Sequence, residues 1–152
     1  CGIGDSEQAI KDAVKDDSRI SFLGQLPRNE VIEWQKKATV LVNPRQNNEE
    51  FTKYSFPSKT MEYLSSGIPV VAYKLDGIPD EYDQYIQYVA DDSIESLKKK
   101  LVEVCEMTRE ERQELGNIGR NFVLMKKNST IQVRKIREMI DSVLRGRKIN
   151  DR

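Results

Sequence analysis

Tyr54–Val71 reads Y-S-F-P-S-K-T-M-E-Y-L-S-S-G-I-P-V-V, and its punctuation decides the fold. Between Ser58 and Ser66, Met61 and Leu64 fall on one face of a helix. Gly67 lies just beyond the last turn and Pro69 follows it, which is the expected helix stop. Pro57 reads as a first-turn proline, and Pro69–Tyr73 (P-V-V-A-Y) as a short strand. A helix handing over to a Val-rich strand without polar alternation is one half of a βαβ unit.

The same alternation extends in both directions. Arg19–Leu23, Thr39–Asn43 and Ile86–Val89 read as further strands, with Cys1–Ile3 as the stub of another. Asp5–Val14 reads as a helix through Ile10 and Val14, and Asn29–Ala38 through Val31, Trp34 and Ala38, with Trp34 in the core. Asp92-x-x-Glu95 and Thr108-x-x-Glu111 have capping-box spacing and open two more helices. The first buries the stripe Ile94, Leu97, Leu101, Val104; a last helix, 128–144, carries Val133, Ile136, Ile140 and Val143. The expected fold is α/β, a Rossmann-like parallel sheet flanked by helices with a helical C-terminal section. Residues 1–146 form the domain and 147–152 a polar, basic, frayed tail.

Composition removes whole classes of chemistry. The 152 residues hold 25 Lys+Arg against 25 Asp+Glu, so the broad positive field of a nucleic-acid binder is absent. Without histidine, no Ser-His-Asp or Cys-His nucleophile and no His-ligated zinc site can form. The two cysteines, Cys1 and Cys105, build neither a disulfide framework nor a metal knuckle, and Cys105 reads as a small helix-packing residue. No apolar run approaches the roughly 20 residues of a membrane span. The expected location is the cytoplasm. The missing initiator Met reads as the mark of a fragment.

One segment carries chemistry. With Pro57 at its start, a helix at Ser58 presents the backbone N–H groups of Ser58, Lys59 and Thr60 to an anion, and Lys59 adds a full charge. A diphosphate suits that arrangement. Glu62, one turn on, suits the cis-diol of a ribose, since a carboxylate accepts from both hydroxyls. An amphipathic helix with a surface Lys59–Glu62 pair accounts for the same residues without any ligand. Asp16–Asp17 and Asp91–Asp92 sit at helix ends, where capping uses them, and Glu81 either orders the loop above this segment or caps a turn, the structural role being the favoured one. Lys98–Lys100 and Lys126–Lys127 read as solvated helix faces.

The run Y-S-F-P-S-K-T-M-E-Y, continued by S-S-G-I-P-V-V, resembles the C-terminal, nucleotide-sugar-binding domain of retaining GT-B glycosyltransferases of group 1 type. The F-P-S-K-x-x-E-Y form is similar to capsule, O-antigen and exopolysaccharide enzymes. Glu62 matches the second glutamate of the family's pair, and further matches cover most of the chain. R-I-S-F-L-G-Q-L-P (19–27) looks like the strand and base-contacting loop, A-T-V-L-V-N-P (38–44) like the next strand, and D-G-I-P-D-E-Y (76–82) like the G-x-P-E segment. Two positions depart: the first glutamate is Tyr54, and a usual glycine is Pro57.

The resemblance implies half of a GT-B fold that binds a UDP- or GDP-sugar, with no cofactor and no metal. Glu62 would hold the ribose, and Ser58, Lys59 and Thr60 the diphosphate. Gln25 and Leu26 would edge the base, and Tyr54, Ser55, Phe56 and Pro57 would face the sugar. Arg45 in N-P-R leaves a strand end near the proposed diphosphate; read without a ligand it is an exposed loop arginine. An N-terminal acceptor domain, against which the last helix packs, would complete a hexosyltransferase acting on a glycan or lipid-linked acceptor. This chain alone would turn over nothing. Peripheral contact with the inner face of the cell membrane is open to the full-length enzyme. A non-catalytic nucleotide-binding or interaction module is the alternative, with Tyr54 as its support.

Overall fold

A computed structural model describes residues 2, 4–48 and 50–150, with side chains through 145. Cys1 and Ile3, read above as part of a strand, lie outside the described residues. The chain forms two compact units, Cys1–Lys37 and Ala38–Arg152. The first contains α1 (Glu7–Asp16) and α2 (Arg28–Lys37). The expected strand at Arg19–Leu23 is not formed. Its start is used in a turn instead: the Arg19 N–H and guanidinium both donate to the Asp17 carboxylate, and Ile20 N donates to Asp17 O at 3.0 Å. Trp34 is 55% exposed, which corrects its expected place in the core. The inward face of α2 is turned by one residue and buries Gln35 beside partly buried Val31 and Ile32.

The second unit is built on three parallel strands in the order β1 (Leu41–Asn43), β2 (Val70–Ala72), β3 (Gln87–Tyr88). Each is shorter than its apolar run, but hydrogen bonds extend past the ends, with Leu41 N donating to Pro69 O and Val89 N to Ala72 O. Strand β2 is wholly buried and its side chains alternate between two cores. Val70 and Ala72 join Leu64 of α3 (Ser58–Ser66) and Phe122 and Val123 of α5 (Arg109–Lys126). Val71 and Tyr73 join Val104, Leu97 and Leu101 of α4 (Ile94–Glu106). Fully burying one such aliphatic side chain is worth about 1.5–3 kcal/mol, so β2 is the best-anchored strand. This is an α/β, Rossmann-like parallel sheet flanked by helices, with a helical C-terminal section.

Helix α3 has the bounds read from the sequence. Gly67 ends it in the left-handed conformation, φ 80°, with its N–H bonded to Leu64 O at 3.2 Å. Its carbonyl then lies against Gly116 of α5, so closely that a Cβ at Gly116 would overlap it. Helix α4 is capped by Ser93, whose Oγ accepts from Ser96 N, rather than by Asp92. Asp91 accepts from Ser93 N and Ser96 Oγ, a capping role for that acidic pair. Ile94 is 81% exposed and Cys105 is exposed, correcting two expected packing residues: the buried stripe of α4 is Leu97, Leu101 and Val104, and Cys105 is turned one residue away from it. Helix α6 runs Ser129–Asn150, so it continues into the tail expected to fray from 147 onward. Arg and Lys are good helix formers, and one Gly146 does not stop them. The α6 apolar stripe from Val133 to Val143 is about half exposed. No helix among the described residues is long and apolar enough to cross a membrane.

Two predictions follow from these contacts. Alanine usually stabilises a helix interior relative to glycine by about 1 kcal/mol. Gly116→Ala is expected to do the opposite, lowering the urea midpoint by the equivalent of about 1–3 kcal/mol, because the Cβ must displace the Gly67 backbone. A raised midpoint would overturn the close approach.

At the start of α5, the Glu111 carboxylate accepts from Thr108 N at 2.7 Å and from its hydroxyl at 2.9 Å. The backbone bond first, then the hydroxyl, hold this carboxyl below the usual glutamate range. A depressed carboxylate contributes stability above its unfolded pKa and loses it as pH falls through the folded one. The stability gap between wild type and Glu111→Gln should therefore hold down to about pH 4.3 and shrink on further acidification. A gap that ignores pH would exclude the ionised capping box.

Candidate functional site

Because β1 and β2 are parallel, α3 must run back between them, which brings its N-terminus to the carboxyl edge of the sheet. Three loops leave that edge, after β1, β2 and β3, and they are tied together. A Cβ at Gly77 would sit 2.9 Å from Thr52 O and closer still to Ser55 O, so the second loop presses on the backbone of the first. Gln46 Nε2 donates to Asp92 O at 2.6 Å, joining the first loop to the third. Tyr73 Oη donates to Ser93 O at 3.3 Å, joining the second to the third. Thr52, buried at the centre, bonds Asn47 Oδ1 at 2.9 Å.

Pro57 is buried and stands at the N-cap with φ −67° and ψ 111°, one position before the first turn expected of it. Its carbonyl accepts from Thr60 N at 2.9 Å. That amide is thus used within the turn, which corrects the expectation that three amides face outward. The N–H groups of Ser58 and Lys59, first in the helix, are the ones geometry leaves without an intrahelical acceptor. Ser58 and Lys59 are exposed and Glu62 is half-buried, and Glu62 shares their face at the i,i+3 and i,i+4 spacings. The Thr60 side chain is completely buried. Its Oγ1, like Ser55 Oγ, has no hydrogen-bond partner among the described residues.

The segment leading into α3 divides by residue. Tyr54 is 82% exposed, whereas the Phe56 ring turns inward and packs 4.9 Å from the Tyr82 ring. Of the residues expected to face a sugar, Tyr54 thus points to solvent while Phe56 and Pro57 belong to the packing beneath. Arg45 is exposed and its guanidinium lies 5.5 Å from the ring centroid of half-exposed Phe51. Phe51 was not singled out by the sequence; an aromatic six residues beyond a loop arginine was its signal. Gln25, exposed and at a bend, and Leu26, half-buried, belong to the first unit, in the irregular stretch ahead of α2.

The supporting groups are charged or pKa-shifted. Burial pushes the Tyr63 phenol up, with the adjacent Glu62 carboxylate adding to it, and burial does the same to Tyr82 beside Glu81. Both rings are therefore neutral packing groups. Lys74, past the end of β2, pairs with Asp83 and with Asp80 at 3.4 Å. Lys127, read as part of a solvated face, instead pairs with Glu81, and its side chain is only 11% exposed. Among the described residues no group of three Asp, Glu or Cys side chains gathers as a metal site would need.

The arrangement is a helix N-terminus bearing a cation, set among three cross-tied loops at the carboxyl edge of a parallel sheet, and it suits an anionic ligand. A family model described as "Glycosyl transferases group 1" matches residues 1–107. No curated protein and no solved structure matches the chain. The match takes in the first unit and, in the second, all three described strands with α3 and α4, and the chain belongs to the group 1 glycosyl transferases.

Proposed function

We propose that the chain is the donor-binding half of a retaining hexosyltransferase that takes a UDP- or GDP-sugar and passes the hexose to a glycan or lipid-linked acceptor. The acceptor domain is supplied by chain outside these residues, and the work is done in the cytoplasm, with contact to the inner face of the cell membrane open to the full-length enzyme. The observation that carries this reading is the exposed Ser58–Lys59 start of α3 at the carboxyl edge of the sheet, beside the close approach of Gly77 to residues 52–55.

In this reading the diphosphate sits on the Ser58 and Lys59 amides, with the Lys59 ammonium as its counter-charge. Glu62 takes the ribose hydroxyls, and Tyr54 and Ser55 the sugar; Arg45 is a second cation for the phosphates. Phe56, Pro57 and Thr60 act from beneath, by holding the helix start in place. When the bond between the anomeric carbon and the diphosphate breaks, charge grows on the departing phosphate oxygen. Fixed amides and Lys59 meet that charge without reorganising. The reaction so drawn uses no cofactor and no metal, and no nucleic acid is a partner.

Thermal denaturation with UDP, GDP and ADP tests the site. One of them, at about 100 times its Kd, should stabilise the chain by about 2.7 kcal/mol. Lys59→Met and Glu62→Ala should each weaken binding by about tenfold or more, as expected for loss of a charge-assisted hydrogen bond of roughly 1.5–3 kcal/mol. No shift with any nucleotide, or an undiminished shift in both variants, would sink the assignment.

Gly77→Ala probes the loops. Forcing them apart should weaken the same nucleotide by about tenfold or more through misplacement of the 52–57 backbone. Unchanged affinity in a folded variant would separate the loop contact from binding.

A further inference from the structure

Beneath the helix start runs a chain of contacts that ends on a single cation. Phe56 immediately precedes the N-cap proline and packs on Tyr82. Tyr82, only 4% exposed, lies in the short 3-10 helix Asp80–Tyr85 and meets Phe122 of α5 edge-on at 5.0 Å. Lys127, the C-cap of α5, closes the set: its Nζ lies 5.1 Å from the Tyr82 centroid and 5.3 Å from that of Phe122, and it pairs with the Glu81 carboxylate.

A lysine whose side chain is only 11% exposed is a costly way to fill space, since an apolar side chain would do so without bringing in a charge. What the cation adds is direction. It holds Glu81 from one side and the Tyr82 face from the other, and so sets the rotation of the 3-10 helix that follows the Gly77 loop. Glu81 remains about half exposed and keeps its hydration when the pair is broken, so loss of the charge costs position more than stability.

We propose that Lys127 is a positioning residue for the donor site, acting through Glu81 and Tyr82 on Phe56 and the start of α3. The proposal rests on the donor-site reading for its purpose, and on the packing alone for its mechanics. Two measurements on the full 152-residue chain separate these. Lys127→Met keeps the aliphatic stem and removes the charge. Amide hydrogen exchange over residues 54–60 should then quicken by about tenfold, with β2 and the middle of α5 unchanged. Binding of whichever of UDP or GDP the wild type takes should weaken by a similar factor. Lys127→Arg should restore both, and Glu81→Gln, at a half-exposed position that leaves the core intact, should reproduce the loss.

Unchanged exchange at 54–60 in both Lys127→Met and Glu81→Gln would overturn the proposal, whatever nucleotide does. Unchanged nucleotide affinity in both variants would overturn it too, while leaving the donor site standing. Faster exchange in a chain whose wild type binds no nucleotide would support the mechanical link and refute the donor reading instead. Failure of Lys127→Arg to restore exchange would reduce Lys127 to local packing and also count against the proposal.

Discussion

Burial of β2 on both faces is the constraint from which the second unit follows. Val70 and Ala72 look one way and Val71 and Tyr73 the other, so each face of the sheet needs its own helical cover. A strand covered on both sides joins its neighbours through crossovers rather than hairpins, which makes all three strands parallel. Parallel order then sends the loop that follows each strand off the same edge and turns the N-terminus of α3 toward it. The candidate site is therefore a consequence of core packing before it is a matter of any polar residue.

Backbone contact supplies the next level of precision. Gly116 lets α5 reach the Gly67 carbonyl at the far end of α3, and Gly77 lets one loop lie on the backbone of another at the near end. Helix α3 is thereby held at both ends through main-chain atoms, which have no rotamers to lose. A helix start held in this way presents its amides in a fixed direction, and that is the property a charge-stabilising site requires.

The sequence was legible wherever the deciding signal was local. The bounds of α3 followed from Pro57, Gly67 and Pro69, and the Thr108–Glu111 box announced α5, because each signal acts within one turn of the chain. It was illegible where a neighbour or a rotation decided. Arg19–Leu23 has strand composition, but Asp17 captures its first residues in a turn. Trp34 lost its core place to Gln35 through a one-residue rotation of α2, which apolar periodicity does not favour. In the candidate site, Lys59 and Glu62 were readable as a helix face; that the Thr60 amide is used by Pro57 O was not, since it depends on how tightly the first turn closes. Lys127 was the hardest, because Glu81 lies 46 residues away and no local pattern links them.

A neutral chain can still bind an anion if its fixed charges are local. Screening reduces exposed charges beyond about 8 Å at physiological ionic strength, so the balance of the whole surface contributes little to a ligand seated on α3. What a ligand in the proposed position would meet is Lys59, two amides and the positive end of a short helix, with Glu62 set one turn back. The carboxylate would oppose a second phosphate but accept hydroxyls. In the proposed reading, the order of cation then carboxylate along one helix face would sort a nucleotide by its parts, phosphate toward the helix start and diol toward the next turn. Exchanging Lys59 and Glu62 would keep the net charge and destroy that order.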